Sequence, residues 1–135
     1  MTFDPRTMGK PVYEKLSKLR SDSEQDGNRL KEQKNQAVEL YTYLSTWGLM
    51  RLKAEEKAIS KDKTGKRQVV ENFFCCLEEI ADTPEYKGLG SEDGLQVLTK
   101  LDIDDYLGLT GLGLAIAQEF SFWATAIYHD IKGEA

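Results

Sequence analysis

The sequence is poor in the side chains that usually carry out chemistry. It has one histidine, His129, and two cysteines, the adjacent pair Cys75 and Cys76. Neighbouring cysteines on a helix cannot form an ordinary disulfide or a metal site together, and a single histidine has no second imidazole with which to share a metal. His129 fits a helix end, where a cation is favourable. We therefore expect no catalytic residue, no metal site, no cofactor and no enzymatic activity.

An export signal and a long uncharged apolar run are also missing. Residues 1–20 carry Asp4, Arg6, Lys10 and Glu14 and lack the continuous apolar core of a signal peptide. The most apolar stretch, residues 106–131, contains Gln118 and Glu119 near its middle. The uncharged apolar run within this stretch is therefore too short to span a bilayer. This pattern predicts a central buried helix and a cytoplasmic protein without a membrane partner.

Apolar residues recur at helical spacing along most of the chain, and strict apolar–polar alternation does not compete with that pattern. A length of 135 residues fits one domain with one core. We predict an all-α, single-domain bundle of about five helices over residues 1–135, with residues 1–9 as a flexible tail.

Turn residues and capping residues divide the chain into predicted helices. Pro11 fits the first turn of a helix over residues 11–20, and a long helix follows over about residues 28–60, with Gly48 as a bending point. A third helix follows Thr64 or Gly65 and reaches residue 81. Ser91 is expected to cap a short helix through residue 101, and Asp102 to cap the last helix.

Two groups of small or apolar residues are predicted to pack inside the bundle. Cys75 and Cys76 lie on or beside the apolar face of the third helix, which favours small core residues over reactive thiols. Gly108, Gly111 and Gly113 thin the last helix, which predicts close contact with a neighbouring helix.

Charge is distributed unevenly along the sequence. Residues 1–50 hold eight basic and seven acidic residues, residues 51–70 hold seven and three, and residues 71–135 hold three and thirteen. Such polarity suits head-to-tail association, or a nucleic-acid contact confined to one face, better than a wholly basic nucleic-acid binder. Solvated helix faces without a partner are the alternative interpretation.

The basic segment is the candidate RNA-binding site. Cations one helical turn apart, followed by a flexible turn, can follow a phosphate backbone without reading bases. The predicted RNA-binding residues are Arg51, Lys53, Lys57, Lys61, Lys63, Lys66 and Arg67.

The acidic cluster Asp102, Asp104 and Asp105 begins like a calcium-binding loop. That loop needs glycine at its sixth position and glutamate at its twelfth, where this chain has Leu107 and Gly113. The aspartates instead fit the first turn of a helix, where the helix dipole stabilises negative charge. We predict that they form a protein interface.

The order of features between residues 40 and 128 resembles the small helical subunit of type III CRISPR effector complexes. That family typically shows an apolar helix with a Gly-Leu pair, a Ser-Lys ending, a variable turn, a second apolar helix, and a long final helix introduced by an acidic residue and tyrosine. The matching residues here are Gly48-Leu49, Ser60-Lys61, the apolar segment 69–80, Asp105-Tyr106, Leu109-Thr110, Leu114, Trp123, Ala124 and Ala126.

The resemblance implies a helical bundle that stacks in several copies beside the backbone subunits and the large subunit of the complex. It also implies contacts with the phosphates of guide RNA and target RNA without cleavage of either. The family's final helix usually carries aromatic and basic residues in its later turns, whereas residues 119–123 here include three aromatic residues and no cation. Residues 51–67 are therefore the preferred RNA-facing surface.

Two other classes of protein remain as alternatives. A helical protein-binding adaptor or acidic antagonist would use its acidic C-terminal half to bind a basic protein, without RNA contact. In that case charge reversal at Asp102, Asp104 and Asp105 matters, and Lys57 and Lys61 are dispensable. A small enzyme or metal protein ranks last, because it needs convergent titratable residues.

Overall fold

The structure, a computed structural model, describes residues 6–59 and 61–132. Over these ranges it contains six α-helices and a short 3-10 turn, Pro84–Tyr86, and no strand. The prediction of an all-α bundle is confirmed. The helices are α1 Arg6–Asp22, α2 Gly27–Trp47, α3 Leu49–Ala58, α4 Thr64–Ala81, α5 Gly94–Lys100 and α6 Ile103–Ile127.

Helix α6 is the centre of the bundle, and α1, α2 and α4 pack around it. Helices α2 and α6 run antiparallel, because Gln33 near the start of α2 contacts Tyr128 just after α6, while Gly48 after α2 lies beside Tyr106 near the start of α6. The core contains the predicted apolar face of α4, including Val70, Phe73, Phe74 and Leu77. No helix in the described ranges is long and apolar enough to cross a membrane.

Helix α1 begins earlier than the sequence predicted. Residues 6–9, which were expected in a flexible tail, are helical, and residues 1–5 lie outside the described ranges. Gly9 is buried, and a Cβ placed there would lie 3.2 Å from the Glu119 carboxylate and 3.5 Å from the Trp123 indole nitrogen. Close contact with α6 therefore orders this turn, and Pro11 lies inside the helix rather than in its first turn.

The long helix predicted over residues 28–60 is two helices. Gly48 has a φ of 87° and a ψ of 173°, a backbone conformation that interrupts the helix and that residues with a Cβ rarely adopt. The chain therefore turns at Gly48 between α2 and α3. The apolar periodicity continues through this turn, so the sequence pattern predicted only a bend.

The two short-range capping predictions have different outcomes. Asp102 is the N-cap of α6, and its carboxylate accepts a hydrogen bond from the Asp105 N–H at 2.8 Å, as predicted. Ser91 does not cap α5, which begins three residues later at Gly94 with Asp93 as its N-cap. The Ser91 hydroxyl instead accepts a hydrogen bond from the Asp93 N–H in the preceding turn, at 3.2 Å.

Polar bonds hold the C-terminal end of α6 in place. The buried Tyr128 hydroxyl donates to the Gln33 side-chain oxygen at 2.7 Å, and the Gln33 amide donates to Ser23 at 2.9 Å and to Gln68 at 3.0 Å. Arg20 forms two hydrogen bonds to the Asp130 carboxylate, at 2.6 and 2.7 Å. These bonds connect the end of α6 to α1, α2 and α4.

Candidate functional site

Four of the seven predicted RNA-binding residues gather where α3 meets α4. Lys57 lies in the last turn of α3, Lys61 and Lys63 lie in the connection, and Lys66 lies in the first turn of α4. The first three are exposed and Lys66 is half-buried. We name these four residues the basic corner.

Lys53 does not belong to this surface. Its side chain is buried, with 4% relative exposure, and its ammonium donates to the Glu56 carboxylate at 2.9 Å. The same ammonium lies 4.9 Å from the centre of the Phe74 ring. The lysine stem also fills the space beside Gly94, where a Cβ would lie only 2.2 Å from the lysine Cε. The sequence pattern predicted Lys53 on the RNA-facing surface, and this prediction is wrong because the side chain is buried.

The Lys53–Glu56 pair is a charge pair held away from water. Burial raises the pKa of Glu56, and the hydrogen bond and charge of Lys53 oppose that rise. A buried carboxylate of this kind depends on its cationic partner, because loss of one member leaves the other charge uncompensated. Lys53 therefore stabilises the contact between α3, α4 and α5.

Arg67 also has a structural position. Its Nε donates to the Glu56 backbone carbonyl at 3.0 Å, and its Nη2 donates to the Ile59 carbonyl at 2.6 Å. Carbonyls in the last turn of a helix lack intrahelical partners, and a guanidinium from a neighbouring helix satisfies them here. Arg67 thus joins α3 to α4 through these backbone contacts, and its predicted phosphate contact stays a prediction.

Arg51 is exposed but lies apart from the basic corner. It precedes Lys57 by six residues, which places the two side chains roughly 120° apart around α3. The Arg51 guanidinium lies 4.1 Å from the centre of the Trp47 ring, where a cation–π contact is favourable. Arg51 therefore belongs to the surface near the start of α3.

The positive charge of the basic corner comes from the lysines rather than from the end of α4. Among the described residues, no ion pair uses any of the four corner lysines. The Gly65 N–H in the first turn of α4 already donates to the Glu32 carboxylate at 3.1 Å. Gly65 packs so closely on α2 that a Cβ would lie 2.6 Å from the Arg29 carbonyl.

A cleft of about 600 Å³ lies beside the corner, between α3, α4 and the turn before α5. Its charged lining is balanced, because it contains the cations Lys53, Lys57 and Arg67 and the carboxylates Glu56, Glu71 and Glu92. A balanced lining does not favour a small anion. The exposed lysines Lys57, Lys61 and Lys63 of the basic corner, in contrast, are open to an extended polyanion.

The acidic residues predicted as a protein interface cluster at the start of α6. Asp102 and Asp104 are exposed and Asp105 is half-buried. Burial raises the pKa of the nearby Tyr86 hydroxyl, and Asp105, Glu85 and Asp102 raise it further. Asp102 and Asp105 therefore lie on the side of α6 that faces Glu85 and Lys100, and Asp102 also caps the helix.

The cysteines and the histidine occupy separate environments. Cys76 is buried, and burial raises its pKa to about 12, whereas Cys75 is exposed, contrary to the prediction of a core residue. His129 is exposed next to Asp130. In the described part of the chain, no three His, Cys, Asp or Glu residues are grouped so that they could hold a metal ion.

Sequence reasoning missed an exposed apolar patch where α2, α3 and α6 meet. The Met50 N–H donates to the Tyr106 hydroxyl at 3.2 Å, which joins the start of α3 to the start of α6. The exposed apolar side chains near these helix ends are Trp47 at the end of α2, Met50 in the first turn of α3, and Ile103 and Leu107 near the start of α6, which are 51%, 42%, 67% and 59% exposed. We name these four residues the elbow patch. Its local signal was the Ile103–Leu107 spacing of four residues within a polar first turn.

Two surfaces of different chemistry therefore lie at opposite ends of α3. The elbow patch includes Met50 in the first turn of α3, and the basic corner extends from the last turn of α3 to the first turn of α4. The ten residues of α3 separate them by roughly 15 Å.

No family model, curated protein or solved structure matches this chain.

Proposed function

We propose that this protein is a non-catalytic small subunit of a type III CRISPR interference complex and that its basic corner contacts the phosphate backbone of guide RNA or target RNA. The observation that carries the RNA contact is the corner itself, four neighbouring lysines that form no ion pair with a described carboxylate. The sequence resemblance supports the assignment to the complex.

Lysine side chains at such a corner suit phosphates better than bases. Each ammonium is a compact charge on a flexible stem, and each phosphate that it neutralises releases a condensed counterion. Contacts of this kind fix the position of the protein on RNA without selecting a sequence. The net charge of −5 makes RNA binding by an isolated copy weak, so the contact depends on the assembled complex.

The proposed subunit stacks in several copies beside the backbone and large subunits, in the cytoplasm. The charge asymmetry supports this arrangement, because the basic corner of one copy can face the acidic C-terminal half of the next. Such a contact joins two different surfaces, so it extends as an open series. Each copy then presents its corner at a regular interval along the RNA.

The direct experiment is co-expression with the backbone and large subunits of a type III complex, followed by purification and measurement of target-RNA retention. The test variant changes Lys57, Lys61, Lys63 and Lys66 to glutamate. The matched control changes the exposed residues Lys31, Lys87, Lys100 and Lys132 to glutamate, which alters the net charge equally on other surfaces.

We expect the wild type and both variants to be incorporated, and only the corner variant to retain less RNA. Failure of the wild type to be incorporated would contradict the assignment to the complex. Incorporation of the corner variant with unchanged RNA retention would contradict the RNA contact and leave the assignment standing.

The exposed acidic cluster at the start of α6 favours a second candidate, a helical protein-binding adaptor without RNA contact. In that case Asp102→Lys, Asp104→Lys and Asp105→Lys abolish partner binding, and the corner variant binds the partner normally. Because Asp102 also caps α6, Asp104→Lys with Asp105→Lys is the cleaner variant, and circular dichroism reports whether the fold persists.

A further inference from the structure

The connection between α2 and α3 is a single residue, Gly48. Its N–H donates to the Leu44 carbonyl at 2.9 Å, and its carbonyl accepts from the Leu52 N–H at 3.2 Å. Both bonds have the four-residue spacing of an α-helix, so helical hydrogen bonding stops at Gly48 and resumes from it. The break therefore concerns the three donors in between, the N–H groups of residues 49–51.

One continuous helix would bond these three donors to the carbonyls of residues 45–47. In the structure the Met50 N–H donates instead to the Tyr106 hydroxyl, at 3.2 Å. Gly48 has a φ of 87° and a ψ of 173°, a conformation that is essentially restricted to glycine. A Cβ on Gly48 would lie 3.7 Å from the Tyr106 hydroxyl, an ordinary contact distance. The backbone conformation, rather than a lack of space, therefore requires glycine at this position.

The apolar pattern does not require the break. Four residues at four-residue steps would form one row of a continuous helix: Leu40, Leu44, Gly48 and Leu52. The three leucines of this row are buried, two in α2 and one in α3. A single helix over residues 27–58, about 48 Å long, would keep the row intact.

Gly48 also divides the bundle into two parts. Helices α1 and α2 precede it, and both pack on α4 and α6, which follow it. Helix α3 packs on α4 and α5, so it stays with the second part. Straightening at Gly48 within one chain would carry α1 and α2 away from α4 and α6 and expose the core. A second copy can restore these contacts, because its own α1 and α2 have the same surfaces.

We infer that Gly48 is a hinge across which two copies of this chain exchange α1 and α2. In the exchanged dimer each chain forms one helix from Gly27 to Ala58, and each core is built from two chains. The exchange gains the three helical bonds of residues 49–51. It gives up two bonds that hold the turn at Gly48 within one chain, Met50 to Tyr106 and Tyr43 to Glu55.

This inference is independent of the RNA contact. The basic corner lies where α3 meets α4, and these two helices stay together in both forms. The inference goes beyond the proposed function by giving the chain a second assembled form, in which the partner is another copy.

The test uses the full chain with Gly48→Ala, and the matched control is Gly108→Ala in α6. Both replacements add one Cβ without crowding, because a Cβ on Gly108 would meet nothing within 4 Å, and both raise helix propensity. The difference is that Gly48→Ala disfavours the backbone conformation of the turn. Both variants and the wild type are refolded from urea at low and at high protein concentration. Sedimentation equilibrium then gives the mass of each product.

We expect Gly48→Ala to be mainly dimeric and to stay dimeric on dilution, because each core must unfold before the chains separate. The wild type should form the same dimer as a minor species when it is refolded at high concentration, and Gly108→Ala should match the wild type. Hydrogen exchange at the Arg51 amide should be at least about tenfold slower in the dimer, because this N–H gains a helical bond.

A folded, monomeric Gly48→Ala protein would overturn the inference, and so would equal dimerisation of the Gly108→Ala control. A dimer in which the Arg51 amide exchanges as in the monomer would also overturn it, because α2 and α3 would then remain separate helices. If Gly48→Ala does not fold, the wild type decides the question, and a purely monomeric product after refolding at high concentration would contradict the exchange.

Discussion

The two ends of α3 differ in how their side chains relate to water. At the basic corner, Lys57, Lys61 and Lys63 are solvated, and ammonium groups on long stems can remain so at little cost. At the elbow patch, Ile103 and Leu107 are exposed next to glycines that no internal contact requires. The comparison shows that exposed lysines are compatible with the isolated chain and stay available to a polyanion, whereas exposed apolar side chains carry a hydration cost that only contact with another molecule would remove.

The largest expected change in the free energy of unfolding comes from replacing the buried Lys53, and the matched comparison is the exposed Lys57. Lys53→Glu should destabilise the protein by about 3–5 kcal/mol, because it places a second carboxylate beside the buried Glu56. Lys57→Glu should change the free energy of unfolding by no more than about 0.5 kcal/mol. Urea denaturation of both variants measures the difference, and equal stabilities would show that Lys53 is not buried in solution.

The next largest changes in stability are expected from replacing two glycines with alanine. One glycine lies near each surface, and the two replacements should change stability in opposite directions. Gly65→Ala, under the basic corner, should destabilise by about 1–3 kcal/mol, because its Cβ would lie 2.6 Å from the Arg29 carbonyl and 2.8 Å from the Glu32 Cβ. Gly111→Ala, beside the elbow patch, should stabilise the isolated protein by up to about 1 kcal/mol. Thermal denaturation checks both signs, and destabilisation by Gly111→Ala would reveal an internal packing role.

The smallest expected change is a pH-dependent change in stability from the Arg20–Asp130 pair, which lies outside both surfaces. The hydrogen bond and charge of Arg20 lower the pKa of Asp130 from 3.8 to about 2. A lowered pKa means that the pair stabilises the fold above pH 3.8, and this contribution is lost as the pH falls to about 2. Asp130→Asn should therefore lower the Tm at neutral pH and lose less stability on acidification. An identical pH profile for both proteins would contradict the pair.

Local sequence patterns predicted the elements that depend on near neighbours. The face of α4 was predictable, because Val70, Phe73, Phe74 and Leu77 recur at helical spacing and are all buried. Asp102 was predictable as a cap, because a side-chain oxygen three residues before an N–H is a local arrangement. The break at Gly48 was not predicted, since leucines on both sides continue the same periodicity.

The candidate site depends on contacts between distant residues, and the sequence predicted it less well. Lys53 was assigned to the surface because it lies one helical turn before Lys57, and its spacing of three residues from Glu56 was the available sign of a buried pair. Arg67 binds carbonyls eight and eleven residues earlier. The elbow patch depends on a bond between Met50 and Tyr106, 56 residues apart, which no local pattern contains.

The central claim, a phosphate contact through the basic corner, is tested most directly by the salt dependence of RNA affinity in the purified complex. Affinity is measured between about 50 and 200 mM salt for the wild type, the corner variant and the matched control. We predict that the slope of log affinity against log salt decreases in magnitude by about 0.7 for each lost phosphate contact in the corner variant and is unchanged in the control. Equal slopes for all three proteins would contradict the claim.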